Sequence, residues 1–138
     1  MSGLAFFDTN VLTYAADRSA PGKQETAIQL VAQVHRAGNA MVSLQVLQEY
    51  YAVATKKLRV PPDIAQRNVE MFATFHVVRI QESDVLAAIA LHRKSQISFW
   101  DAMIILAAQL GGAETLYTED LQNGSKWGAV TVVNPFQS

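Results

Sequence analysis

Apolar residues recur along this chain in two different rhythms, and the switches between them outline its elements. Residues 4–7, Leu-Ala-Phe-Phe, make a short continuous apolar run of the kind a buried strand presents. Asp8, Thr9 and Asn10 interrupt it, and residues 11–16 then read as a short helix. Pro21 and Gly22 mark a turn, after which Ala27, Ile28, Leu30, Val31 and Val34 recur at helical spacing until Gly38 ends the pattern. Ala40–Ser43 suits a second strand. Leu47, Tyr50, Tyr51, Ala54 and Leu58 then stand at i, i+3, i+4, i+7 and i+11, the stripe of an amphipathic helix that begins near Leu44.

Pro61 and Pro62 stop that helix, and Pro62 opens a further helical pattern over residues 63–73. A β-branched run over residues 76–80 predicts a third strand. Two helices follow, Glu82–Lys94 and Phe99–Leu110, broken around residues 95–98 and ended by Gly111 and Gly112. Residues 115–118 and Val130–Val133 read as the last strands, separated by the turn-rich stretch 120–128. Strands alternating with helices predict an α/β fold: a central, mainly parallel sheet of about five strands flanked by helices, in one domain over residues 1–138. In such sheets ligands gather beyond the carboxyl ends of the strands, where strand order reverses. Asp8 follows the first strand and Glu119 and Asp120 follow the fourth, so all three are expected on that side.

Composition narrows the chemistry. At 138 residues, 50% hydrophobic and 17% charged, the chain is too apolar for disorder, and its longest apolar runs fall far short of a bilayer span. No membrane is expected as a partner, and the expected location is cytoplasmic. Without cysteine, disulfides, thiolate zinc sites and cysteine nucleophiles are excluded, and His35, His76 and His92 are too scattered for a paired-histidine metal site. A hard, oxygen-ligated cation remains open. A net charge of −1 gives no general pull toward nucleic acid, so any such binding must come from local patches; Lys56, Lys57 and Arg59 form one candidate cluster, Arg93 and Lys94 another.

Four carboxylates sit in unusually apolar settings. Asp8 ends a buried run, although an acid there also suits a helix cap. Glu49 borders a wide apolar arc. Asp101 is the single charged residue between Lys94 and Glu114, inside a helix that is apolar on every face and therefore expected to be buried. Ser98 three residues earlier fits a capping box, in which the acid would satisfy a backbone N–H. Asp120 follows a strand, where turn initiation is the plain alternative. Several carboxylates share a dry cleft only if protons or a cation neutralise them, and Mg²⁺ or Mn²⁺ accept carboxylate and water oxygens. Such sites suit phosphodiester hydrolysis.

The segments FFDTNVL, SLQVLQEYYAVATKK, SFWDAMIILAA and LYTEDLQNG, in this order and spacing, resemble those of PIN-domain proteins, specifically the VapC-type toxins of bacterial toxin–antitoxin pairs. The resemblance implies a metal-dependent endoribonuclease in which Asp8, Glu49, Asp101 and Asp120 form an acidic quartet. It implies Asp8 and Asp101 as the principal Mg²⁺ (or Mn²⁺) ligands, Asp120 as a ligand or second-metal partner, Glu49 as completing the site or helping to position water, and Asn10 and Thr118 as residues that supply supporting hydrogen bonds. It also implies a structured RNA substrate such as tRNA or rRNA, a cognate antitoxin and a homodimer. Asn123 stands where many relatives carry another acid. The competing expectation is a non-catalytic PIN-like module that binds RNA or protein. Other phosphate chemistries fit less well: Asn10 occupies the position of a dehalogenase-type phosphatase's second Asp, and no Walker or Rossmann glycine motif is present.

Overall fold

The continuous apolar runs of the sequence become the middle of a sheet, and the striped segments become its flanking helices. The computed structural model describes residues 3–137. Within them the strands are β1 (Ala5–Phe7), β2 (Ala40–Ser43), β3 (His76–Val78), β4 (Thr115–Tyr117), β5 (Lys126–Trp127) and β6 (Val130–Val133). The helices are α1 (Thr9–Tyr14), α2 (Pro21–Arg36), α3 (Leu44–Lys56), α4 (Pro62–Phe72), α5 (Glu82–Lys94) and α6 (Phe99–Leu110).

The sheet runs β3-β2-β1-β4-β6-β5. All neighbouring pairs are parallel except β5 with β6. It has six strands where the sequence suggested about five. The addition is β5, two residues inside a turn-rich stretch, too short and too polar to carry a period of its own. The β-branched run at residues 76–80 pairs only as far as Val78.

β1 lies at the centre, buried on both faces, with Phe6 and Phe7 fully inaccessible. Strand order reverses around it, because the chain adds β2 and β3 on one side and β4 and β6 on the other. The crevice between the carboxyl ends of β1 and β4 is therefore the switch point of the sheet. Leu12, Val46, Tyr50, Ile105, Leu116 and Val132 pack around β1 in one core.

Two local features matter further on. At the far end of α3 the backbone turns through Arg59 with φ 58°, which lets the Val60 N–H reach the Ala54 carbonyl at 2.8 Å. A non-glycine residue in that left-handed conformation costs about 1–2 kcal/mol. At the end of α6, Gly111 lies so close to the sheet that a Cβ there would stand 2.8 Å from Val78 Cγ2. No helix among the described residues is long and apolar enough to cross a membrane.

Candidate metal centre

Asp8 arrives at the switch point because β1 ends there. Its N–H donates to the Tyr117 carbonyl, so the β1–β4 ladder continues one residue past the strand and fixes where the side chain emerges. The backbone then turns extended (φ −70°, ψ 159°), and Asp8 caps α1 by accepting from the Thr9 N–H at 2.7 Å. The cap and the cleft acid are one residue. Asp8 is only 6% exposed.

Thr118, the first residue past β4, is fully buried, and its hydroxyl donates to Asp8 Oδ2 at 2.8 Å. Thr118 Oγ1 in turn accepts from the Asp120 N–H at 3.1 Å and from Asn10 Nδ2 at 3.2 Å. Asn10 Nδ2 also donates to Asp120 Oδ2 at 3.0 Å, while Asn10 Oδ1 lies 3.4 Å from the Glu119 N–H. These bonds tie the end of β1 to the end of β4 across more than a hundred residues.

Asp101 enters from the third turn-forming residue of α6. Ser98 caps this helix by accepting from the Asp101 N–H at 3.0 Å. The reciprocal half of the expected capping box, Asp101 accepting from the Ser98 N–H, is not formed among the described hydrogen bonds. The carboxylate faces the cleft instead. Nor is α6 buried all round: Ala102–Ile105, numbered 102–105, are covered, but Trp100 is 60% exposed at the cleft rim. The apolar stretch that looked uniformly interior includes a surface aromatic.

One carboxylate oxygen each from Asp8, Asp101 and Asp120 lie within 4.8 Å of one another. Glu49 lines the same cleft, of about 380 Å³, but its carboxylate is held by neighbours: Thr9 Oγ1 donates to Oε1 at 2.7 Å and Gln45 Nε2 to Oε2 at 3.3 Å. Glu119 turns away, pairing with Lys23 at 3.0 Å and accepting from the Tyr14 hydroxyl at 2.8 Å. Asn123 is engaged elsewhere; its Oδ1 accepts from the Asn134 N–H at 2.8 Å and ties the loop before β5 to the residue just past β6. The sequence pattern did not reveal Thr9, Gln45 or Trp100. Gln45 was within reach of an argument from helix spacing, since Gln45 and Glu49 are i, i+4 on α3, whereas the Thr9 contact and the exposure of Trp100 depend on tertiary packing.

Electrostatics follow from this packing. Burial pushes the Asp8 carboxyl up to about 7, the Thr118 hydroxyl and the Thr9 N–H pull it down, and repulsion from Asp120 and Glu49 adds to the rise. Burial likewise raises Asp101, against the Ser98 hydroxyl and with repulsion from Asp120 and Glu49. Like charges are thus forced together in a site where desolvation already disfavours them. All-oxygen donors converging at this spacing fit a hard divalent cation, with Asp8, Asp101 and Asp120 as the residues able to hold it.

Comparison with known proteins meets this geometry directly. Residues 5–122 match the sequence profile of the PIN domain. The chain belongs to the PIN domain family. Its fold is similar to that of a chain in a toxin–antitoxin complex from Klebsiella pneumoniae, with 25% identity, a TM-score of 0.68, and coverage of 95% of this chain and 97% of that one. It is also similar in fold to VapC20 from Mycobacterium tuberculosis, a toxin that cleaves the sarcin–ricin loop, with 16% identity, a TM-score of 0.63, and coverage of 84% and 91%. No curated protein matches. In this PIN domain the acids stand at the switch point of the sheet, and Asn10 and Thr118 brace two of them.

Proposed function

We propose that this PIN domain is a metal-dependent endoribonuclease, the VapC-type toxin of a toxin–antitoxin pair acting in the cytoplasm. The observation that carries the reading is the convergence of Asp8, Asp101 and Asp120 within 4.8 Å in a partly desolvated cleft. Asp8 and Asp101 are the principal ligands for Mg²⁺ or Mn²⁺, and Asp120 is a further one. When bound, the cation supplies Lewis acidity for water activation and for the charge that develops on a phosphodiester.

The chain's own residues do the rest. Thr118 and Asn10 hold Asp8 and Asp120 in place, so their oxygens are preorganised rather than gathered by the ion. Glu49, fixed by Thr9 and Gln45, orients water on the far side of the cleft. Trp100 offers an exposed ring at the rim on which a base can stack. The likeness to a chain from a toxin–antitoxin complex supports a cognate antitoxin as partner, and a homodimer is proposed with it on the resemblance to VapC-type toxins.

The test is incubation of purified tRNA and rRNA with the protein and Mg²⁺ or Mn²⁺, beside EDTA and Asp8→Asn controls. Discrete fragments that disappear in both controls are expected. Fragments that persist in Asp8→Asn, or no cutting of either RNA by folded, partner-free protein, overturn the reading.

A further inference from the structure

The acidic cleft repels the RNA it is proposed to cut, and a net charge of −1 supplies no long-range attraction to offset this. The cations that hold the substrate must therefore be concentrated somewhere near the cleft. Among the described residues, only Lys23 and Arg67 are committed to ion pairs.

A second and larger cavity, about 730 Å³, opens between the α1–α2 and α3–α4 loops. Arg18, Lys57 and Arg59 line it, all three exposed and none in an ion pair. Its single acid, Asp17, is occupied: Asp17 Oδ1 accepts from the Ser19 N–H at 3.0 Å and from the Ser19 hydroxyl at 2.6 Å. The wall thus carries a clear excess of positive charge.

Position links this cavity to the acidic one. Both lie along the packed pair α1 and α3. Thr13, Ala52 and Val53 line the acidic cleft, and the residues that follow them on the same two segments, Ala16 and Lys57 among them, line the basic cavity. Glu49 and Lys57 are separated by a helical rise of about 12 Å, a span that a few nucleotides cover.

Arg59 adds an independent observation. The left-handed turn is needed to bring Val60 back onto the core, and glycine adopts that conformation without penalty. The turn explains the backbone but not the side chain. Arg59 thus sets a cation at a strained position on the wall of a cationic cavity.

We propose that Arg18, Lys57 and Arg59 form a phosphate-backbone subsite for single-stranded RNA leading into the acidic cleft. The proposal rests on the nuclease reading for its substrate, but its test does not require cleavage. Arginine and lysine in an open cavity hold phosphates without reading bases, so the subsite sets affinity and the path of the strand, not the sequence cut.

Binding of a fluorescein-labelled single-stranded RNA is measured by anisotropy in EDTA across a KCl series, so that nothing is cut. The variant Arg18→Ala/Lys57→Ala/Arg59→Ala is expected to bind about tenfold more weakly at moderate salt, with the log–log salt slope smaller by about 2. Arg79→Ala/Lys126→Ala, two exposed cations that line neither the basic cavity nor the acidic cleft, is the control and is expected to keep both. Arg59→Gly separates charge from structure: it relieves the strained turn, so melting temperature holds or rises while RNA affinity falls. A triple variant with an unchanged slope overturns the proposal, as does wild-type protein that binds no RNA. A triple variant that keeps its RNA slope but loses a copurifying protein reassigns the cavity to protein docking. RNA binding that depends on these cations in a protein that cuts nothing sinks the nuclease reading and leaves the subsite standing.

Discussion

Thr118 Oγ1 donates to Asp8 Oδ2 at 2.8 Å, and both residues are buried. This bond joins the ends of the two central strands and favours the ionised form of an acid that burial otherwise protonates. Thr118→Val keeps the shape and removes the donor. Metal affinity, read from the Mg²⁺ dependence of cleavage, is expected to fall about 10–100-fold, with Thr118→Ser restoring most of it. An unchanged Mg²⁺ dependence in the Val variant would show that the bond only braces the fold.

The raised Asp8 carboxyl makes the metal-free protein sensitive to pH. Its folded-state value, about 7, lies above the unfolded one near 3.8, so between these the native state binds more protons. Stability in EDTA should therefore decline as pH rises from about 4 to about 7 and level off above, by a few kcal/mol in all. Asp8→Asn should remove most of the slope, the raised Asp101 carboxyl keeping the rest. Urea melts from pH 4 to pH 8 give the slope, and a wild-type profile that rises across this window contradicts the burial argument.

Divalent metal should act in the opposite sense. A cation that binds the ionised cluster stabilises the native state by mass action, about 2.7 kcal/mol at a hundred times its dissociation constant. Mg²⁺ or Mn²⁺ is expected to raise the melting temperature of the wild type at pH 8 and to leave Asp8→Asn/Asp101→Asn unmoved. Calorimetry with each ion checks this.

Asp101 and Ser98 divide labour that the sequence pattern assigned to a reciprocal cap. Ser98→Ala removes the bond to the Asp101 N–H and is expected to cost about 1 kcal/mol of stability. Asp101→Asn leaves that bond in place, so cleavage should be lost with little change in melting temperature. Retained cleavage with a clear loss of stability would return Asp101 to a purely structural role.

Trp100, 60% exposed at the rim, packs edge-on against Phe99 and contributes little to the core. Trp100→Ala should leave melting temperature nearly unchanged while weakening RNA binding by about 5–100-fold, the range of one base–aromatic stack. Equal affinity of the two proteins in the anisotropy assay would remove the ring from the substrate path.

What the sequence revealed and what it concealed have physical causes. β1 was legible because a strand buried on both faces must be continuously apolar, and Asp8 stood out because it ends that run. Asp101 stood out for the same reason within α6. β5 was hidden: two residues, antiparallel and at the edge, need only a turn and a partner. The bonds Thr9 to Glu49 and Glu119 to Lys23 join residues 40 and 96 positions apart, and no periodicity reports such pairings. The exposure of Trp100 was also unreadable, because an apolar helix signals burial on average and not face by face.

The two ends of the acidic cluster lie far apart in the order of synthesis. Asp8 follows the first strand and Asp120 the fourth, and Thr118, which orders Asp8, comes two residues before Asp120. A nascent chain that has delivered β1, β2 and β3 to the cell holds Asp8 and Glu49 but has nothing to pair along the other edge of β1. The cluster is complete only when β4 is paired with β1. Any fragment that stops short of β4 therefore lacks part of the acid set, so the cluster belongs to the whole sheet and to neither half of it.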